Sequence, residues 1–546
     1  MSNAVLYFHS DAYETRGARL MGRHSAGESF LRGFLRYADV DTLHFWNVAN
    51  APLDEAEALI RRIQPFDKSP VWHRSRRRLG DVGVLSMPVP GLPQEAWARR
   101  HIGDQAYAIS GVTHTTASVV IMQTVADMLL SPLYDYDALI CTSSAVRASI
   151  ETQLDGMRDY IEQEYGPRRR AEAQRVVIPL GVNVDDFRTD PAQRRAWREK
   201  LAIPDDAIVA LYVGRFSPRG KMNPALMAQA LEQAARRTTR PIYWVNSGWT
   251  TTEAAETAYR EQTSAFCPSV HFRIVDGRDP DVRFSIWSVA DVFISFSDNI
   301  QETFGLTPIE AMAAGLPCVV TDWDGYRDTV RDGEDGYRIA TYAPRPGDGG
   351  DIAYAFADGQ INYDAYIGGV AQYTAIDIAA AAQAIHALVE NPDLRARMGR
   401  SAQGRARNTF DWSVIIPQYQ ALWAEQNARR RTAPLVPAKA ANPFRPDPFT
   451  LFGGYPTQSL QPDWQVAVPP GVEWTDARSA LTSALAVYSA LHRPTMEEAQ
   501  KAFEWALAYG PAPLARLVEA FPPHRRPFVQ RGLLWMARFG ALALNP

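Results

Sequence analysis

Two glutamates eight positions apart, Glu302 and Glu310, flank the tripeptide Phe304-Gly305-Leu306 within a segment running from Ser297 to Asp322. Its order of residue types reads as a loop, a short helix and a strand. Thr307 suits the N-cap, Pro308 the first helical position and Gly315 the residue just past the end, which puts Glu310 in the first turn. One role open to Glu310 is the returning half of a capping box with Thr307. The loop suggests another. A glycine and unpaired backbone N–H groups at a helix N-terminus favour a phosphate, and the two carboxyls would stand on either side of that anion.

A second set of charged residues follows the apolar run Ile208 to Val213. Gly214-Arg215-Phe216 leads to Arg219, Gly220 and Lys221, and Asn223-Pro224 then opens a helix bearing Met227, Ala230, Leu231 and Ala234 on one face. Cations in a loop at the carboxyl end of a parallel strand point into the crevice where such sheets bind ligands. Nearer the N-terminus, Gly111-Val112-Thr113-His114 ends an apolar run and is expected to open a helix. Arg19 to Glu28 forms a glycine-bearing loop around Gly22 after the first strand.

Together these segments resemble the E-x7-E signature and basic loop of retaining glycosyltransferases of the GT-B fold, family 4 (glycosyl transferases group 1). The resemblance covers about residues 1–426 and is strongest from 205 to 340. It implies that Glu302 lies beside the donor sugar and that Glu310 hydrogen-bonds the ribose. Arg215 and Lys221 would grip the nucleotide diphosphate, with the amides of Phe304, Gly305 and Leu306 adding donors. His114 would approach the sugar across a cleft, and Gly22 would lie in the loop under the donor phosphates. Lys221 stands one position later than the commonest family spacing, which makes Arg219 a competitor for its role. Thr303 stands where the family often has glycine or serine. The implied donor is a UDP- or GDP-linked sugar acting as substrate. The family needs no cofactor and no metal, and its chemistry retains anomeric configuration.

These residues need a scaffold that aims them at one place. Short strand-like runs alternate with helical patterns at Val5 to Phe8, Thr42 to Val48, Val82 to Met87, Tyr107 to Ser110, Ala138 to Cys141 and Val176 to Ile178. The pattern recurs at Ile208 to Val213, Ile242 to Asn246, Val270 to Ile274, Val292 to Phe296 and Pro317 to Thr321. Such alternation implies βαβ units and parallel sheets. The expected architecture is α/β, with an N-terminal Rossmann-like acceptor domain over 1–180 and a second, nucleotide-sugar domain over 181–411. Pro179 to Asn183 would be the hinge, and a crossover helix is expected over 412–428. Ser25 and Glu28 have capping-box spacing ahead of Phe30, Leu31, Phe34 and Leu35. Nine prolines between Thr432 and Pro470 suggest a linker over 429–473. A helical module is expected over 474–546, with Leu481, Leu485, Tyr488 and Leu491 on one face.

Composition narrows the function classes. The chain has 546 residues, 46% of them apolar and 22% charged, enough to bury real cores. A formal charge of −4 argues against a nucleic-acid partner. Three scattered cysteines, with no signal-like start or membrane-length apolar run, favour the cytoplasm. The four Asp-x-Asp pairs, at Asp39, Asp135, Asp279 and Asp322, are near chance for a chain of this composition. Arginines from Arg61 to Arg100, with Trp72 and Trp97 among them, could meet an anionic membrane surface peripherally, although a solvated face explains them as well. The implied activity is sugar transfer from a nucleotide sugar to a glycan, lipid-linked or small-molecule acceptor. Another GT-B activity such as an epimerase or phosphorylase, or a non-catalytic sugar-nucleotide-binding or scaffold subunit, stays open on this reading.

Overall fold

The computed structural model describes residues 3–13, 22–167, 172–250, 252–434 and 442–546. It divides into two compact units, Met1–Ala440 and Ala441–Pro546. The first unit holds two parallel sheets. In chain order the first has strands β1 (Val5–Phe8), β2 (Leu43–Asn47), β3 (Pro70–His73), β4 (Val84–Met87), β5 (Ala108–Val112), β6 (Ala138–Cys141) and β7 (Gln174–Val177), arranged β3-β2-β1-β4-β5-β6-β7. The second has β8 (Ile208–Val213), β9 (Ile242–Gly248), β10 (His271–Asp276), β11 (Val292–Ser295), β12 (Cys318–Thr321) and β13 (Gly336–Ile339), arranged β10-β9-β8-β11-β12-β13. Every pairing in both sheets is parallel.

Strands β4, β6, β11 and β12 are buried at every residue, as they must be when helices cover both faces of a parallel sheet. This explains why they read as unbroken apolar runs. The edge strands β3 and β13 escaped the sequence reading for the opposite reason. Pro-Val-Trp-His and Gly-Tyr-Arg-Ile cover one side only and mix polar with apolar residues.

The chain crosses between the sheets at 181–183 and returns at 411–412, and the two crossings pair with each other. Val182 N donates to Phe410 O at 2.8 Å, and Trp412 N donates to Val182 O at 3.2 Å. The returning helix, Trp412–Thr432, buries Trp412, Ile415, Ile416, Tyr419 and Trp423 in the first domain's core with Phe8, Phe34 and Phe45. Gly181 is needed there, since a Cβ would fall 2.6 Å from the Trp412 ring.

Several local expectations are corrected. The helix after β11 spans Leu306–Ala313 with Gly305 as its N-cap, so Thr307 is inside the helix and forms no capping box with Glu310. Gly315 does follow the helix end with φ +77°, the left-handed conformation expected there. His114 lies in a loop, because the next helix begins at Val119 with Ser118 as its N-cap. Gly22 is the first residue of helix Gly22–Tyr37, so Ser25 and Glu28 sit inside that helix instead of capping it. The rest of the expected glycine loop, Arg19 to Met21, lies outside the described residues.

Much of the basic and aromatic set between Arg61 and Arg100 is turned inward. Arg76 pairs with Glu95 at 2.9 Å and lies over the Trp46 ring, Arg99 is fully buried against Asp137, and Trp72 packs with Phe8 and Phe45. Arg74, Arg77 and Arg78 remain exposed. Among the described residues, no helix is long and apolar enough to cross a membrane.

The second unit is not purely helical. Gln465–Ala467, inside the expected linker, pairs antiparallel with Ala512–Pro513 and Ala543–Asn545, and helices Met496–Tyr509 and Arg526–Arg538 close its core. Leu481 is buried there, but its helix ends at Thr482, which leaves Leu485, Tyr488 and Leu491 exposed and off any shared helical face.

Candidate active site

The loops after β8, β11 and β12 converge at the carboxyl ends of the second sheet. Beyond β8 the chain turns tightly, Lys221 N donating to Ser217 O at 2.9 Å, and this turn aims the Lys221 side chain inward. Lys221 Nζ donates to Glu302 Oε2 at 2.8 Å, with Glu302 only 12% exposed. Arg219 stays exposed on the outside of the same turn. The turn therefore brings Lys221, and not its competitor, to Glu302. Arg215 is half-buried just after the strand and pairs with no carboxylate among the described residues.

Glu302 is a carboxylate in a dry place. Burial disfavours its charge, but Lys221 and the backbone N–H groups of Thr303 and Phe304 outweigh burial and hold the group below its ordinary range. Gly305 follows with φ +87°, and a Cβ there would fall 2.1 Å from the Tyr326 ring. Only glycine fits both the turn and that contact. Leu306 then begins the helix, which carries Glu310 one turn on, into a crevice shared with Ser29, Asn183 and Arg283. Burial raises the Glu310 carboxyl to about 7, against the opposing pull of Arg283 and Lys221.

From the first sheet comes the loop after β5. His114 Nε2 lies 2.7 Å from Pro88 O, and because a carbonyl only accepts, that nitrogen carries the proton. The His114 carbonyl accepts from Thr303 Oγ1 at 3.0 Å, and Thr142 Oγ1 donates to Thr303 O at 3.5 Å. Thr303, the departure from the family's usual residue, is therefore a bridge between the two sheets. The structure brings His114, Lys221, Glu302 and the Phe304 to Leu306 turn together, with Arg215 and Glu310 alongside. The described part of the Gly22 segment is helix, and its side-chain surroundings fall outside what is described.

Two residues here were not singled out from sequence. Asp324 accepts from Ser143 Oγ across the cleft at 3.3 Å and has φ +42°, rare for an aspartate. Burial, then the charge of Glu302, raises its carboxyl to about 8. Its signal was its place after β12, at the carboxyl end of a parallel strand, but it was weighed only as half of an Asp-x-Asp pair. Tyr363 lies near the side chain of Thr115, next to His114, and burial raises its hydroxyl above the ordinary range. It belongs to an inserted stretch for which periodicity offers no partner.

Residues 193–345 match the family described as Glycosyl transferases group 1. That stretch is similar to the group 1 glycosyltransferases, and it contains the β8 turn, Glu302, Glu310 and Asp324, and so most of the charge just described. Similar curated proteins include a D-inositol 3-phosphate glycosyltransferase of Streptomyces scabiei, 28% identical over 333 residues, 58% of this chain and 64% of that one. Another, from Geodermatophilus obscurus, is 33% identical over 205 residues, 35% of this chain and 41% of its own length. A phosphatidyl-myo-inositol mannosyltransferase of Mycobacterium tuberculosis is 26% identical over 357 residues, covering 64% of this chain and 76% of that one. The chain thus spans less than two thirds of the first two relatives. A solved glycosyltransferase of Rickettsia africae aligns with a TM-score of 0.50 at 15% identity, covering 78% of this chain and 98% of that one. At that identity the likeness is one of fold, and the matched stretch lies within a GT-B arrangement of two parallel-sheet domains.

Proposed function

We propose that the chain moves a hexosyl unit from a UDP- or GDP-linked sugar to a glycan, lipid-linked or small-molecule acceptor, with retention of configuration and without a cofactor or a bound metal. The observation that carries this reading is the Lys221–Glu302 pair at 2.8 Å, set beside Arg215 at the carboxyl end of a parallel sheet. The names of the curated relatives, all glycosyltransferases or mannosyltransferases, support the same class.

In this reading Lys221 exchanges part of its contact with Glu302 for the donor's diphosphate and, with Arg215, neutralises the charge that builds as the diphosphate leaves. Fixed cations in a dry site do this without reorganisation. Glu310, as a carboxylate, accepts from the ribose hydroxyls. Glu302 flanks the sugar, and His114, oriented by Pro88, faces it from the other sheet. The acceptor hydroxyl attacks on the face that the diphosphate vacates, and its proton passes to that leaving group. A peripheral contact with anionic lipid, if made, would use the exposed Arg74, Arg77 and Arg78, and vesicle flotation with and without acidic lipid reads it directly.

The test has two stages. Thermal shift against UDP-, GDP- and ADP-sugars identifies the donor, since a ligand that binds only the folded state raises its melting temperature. Acceptor-dependent release of nucleoside diphosphate then measures transfer. Stabilisation by a donor without any release would leave the non-catalytic binding reading, and absence of both would sink the proposal.

A further inference from the structure

The inserted stretch between Tyr342 and Ala375 forms two helices, Gly350–Ala357 and Tyr363–Ala371, closed at their base where Thr341–Tyr342 pairs with Ala375–Ile376. The second helix is tied to the β8 turn through one buried side chain. Asn299 Nδ2 donates to Arg219 O at 2.7 Å and to Ile367 O at 3.5 Å. Between helix and turn lies a cavity of about 430 Å³. That falls inside the roughly 300–1,000 Å³ typical of small-ligand pockets.

The polar groups on its walls are Arg219, Asn223, Asp298, Asp364, Gln372 and Thr374. Asp298 is 2% exposed; its Oδ2 accepts from Asn223 N at 3.4 Å, and its Oδ1 has no hydrogen-bond partner among the described residues. A buried carboxyl oxygen left unsatisfied is costly, and sites of this kind are completed by a ligand or a water. The helix wall is built from small residues, and a Cβ on Gly369 would meet nothing within 4 Å. Arg219 stands against two carboxyls. An anion would face Asp298 and Asp364, and a cation would face Arg219. Hydroxyl groups, each both donor and acceptor, match the mixed lining without a charge conflict.

We propose that this cavity is a binding subsite for a neutral saccharide, holding the hydroxyl-rich part of the acceptor, with Asp298 accepting from a ring hydroxyl. Its assignment to the acceptor rests on the glycosyl-transfer reading; its ligand chemistry does not. The subsite is next to the site already described, along the β8 turn. Lys221 follows Arg219 by two residues, and Tyr363, at the start of the inserted helix, reaches Thr115 beside His114.

The experiment titrates maltose, cellobiose and mannobiose into the full chain by ligand-detected NMR, and a nucleotide sugar in parallel. The wild type is compared with Gly369→Phe, which fills the cavity, and with Asp364→Ala on the exposed helix surface. At least one disaccharide is expected to bind the wild type, with affinity reduced roughly tenfold or more by Gly369→Phe and several-fold by Asp364→Ala, while nucleotide-sugar affinity stays within about twofold. Absence of binding by all three disaccharides, or equal binding by wild type and both variants, would overturn the subsite. Should the variants lose the disaccharide while no nucleotide sugar is bound or consumed by any form, the subsite stands and the glycosyl-transfer reading fails.

Discussion

The two sheets of the first unit end in loops of opposite chemistry. Those of the second sheet hold Arg215, Lys221, Glu302 and Asp324 close together, and its following helix adds Glu310. Those of the first sheet offer an imidazole tied to a carbonyl, the hydroxyls of Thr142, Ser143 and Ser144, and an apolar wall that includes Leu6, Tyr13, Phe30 and Met87. Two of the contacts between those loops repeat this division. Thr303 donates to the His114 carbonyl, and Ser144 donates through its amide and its hydroxyl, at 2.6 Å each, to Asp328. In these two contacts a hydroxyl or an amide donates to the second sheet's side, while the helix Gly22–Tyr37 of the first domain adds charged contacts of its own through Arg32 with Asp186 and Glu28 with Arg283. In the proposed reaction, work on the charged leaving group falls to the loops of the second sheet, and those of the first supply position and surface.

The largest effect should come from breaking the charged half. Lys221→Ala leaves Glu302 in its dry setting with the Thr303 amide as donor but no cation, and it removes one of the two cations proposed for the diphosphate. Turnover should fall by at least about 10². Steady-state rates of nucleoside diphosphate release measure this. Near-normal rates would mean that the pair is structural and that the division of labour is wrong.

Next comes the proton on Glu310. Its carboxyl is raised to about 7 by burial, so below that pH it is protonated in the folded chain. A raised acid stabilises the fold fully below its unfolded value, and that contribution is lost as pH rises through the folded one. The donor-free chain should accordingly lose stability as pH rises through about 7, while donor affinity should rise if Glu310 accepts from the ribose hydroxyls as proposed. Glu310→Gln should flatten the trend in donor affinity and weaken, without abolishing, that in stability, since the buried Asp298 and Asp324 carboxyls are raised to about 7 and about 8 and contribute in the same direction. Melting curves and donor titrations across that range separate this account from one in which Glu310 is passive.

A third test asks whether the turn between the glutamates is as constrained as its geometry requires. Gly305→Ala puts a Cβ into the Tyr326 ring at a φ of +87°. The expected loss is about 1–3 kcal/mol, read by thermal or denaturant unfolding. An unchanged melting temperature would show that the loop has room to shift, and the positions of the Phe304 to Leu306 amides would then be adjustable.

What could be read from sequence divides along the same line. Most of the charged half was legible because Arg215, Lys221, Glu302 and Glu310 cluster within two short segments, one from Gly214 to Asn223 and one from Glu302 to Gly315, each marked by glycine, proline and a helix start, whereas Asp324 lies outside both. The buried strands were legible because a parallel sheet covered on both faces forces continuous apolar runs. The bridge from Thr303 to His114 was not, since it joins residues 189 positions apart through a main-chain carbonyl that carries no side-chain signature. Nor was the true start of the helix bearing Glu310. Thr307 is a better cap by type than Gly305, but the Tyr326 ring and the left-handed glycine decide the geometry. Asn299, which joins the inserted helix to the β8 turn, looked like an ordinary loop residue for the same reason.

The smallest expected effect probes that bridge. Thr303→Val keeps the shape of the side chain and deletes its hydroxyl, so the hydrogen bond to the His114 carbonyl is lost while Lys221, Glu302 and the Gly305 turn are untouched. One neutral hydrogen bond is worth about 1 kcal/mol, which corresponds to a roughly fivefold change. If the first sheet contributes position alone, that fivefold should appear in turnover, with donor affinity, held by the second sheet, unchanged. A loss approaching that of Lys221→Ala would mean that the neutral half does more than position, and that the bridge from Thr303 holds the reacting groups in register.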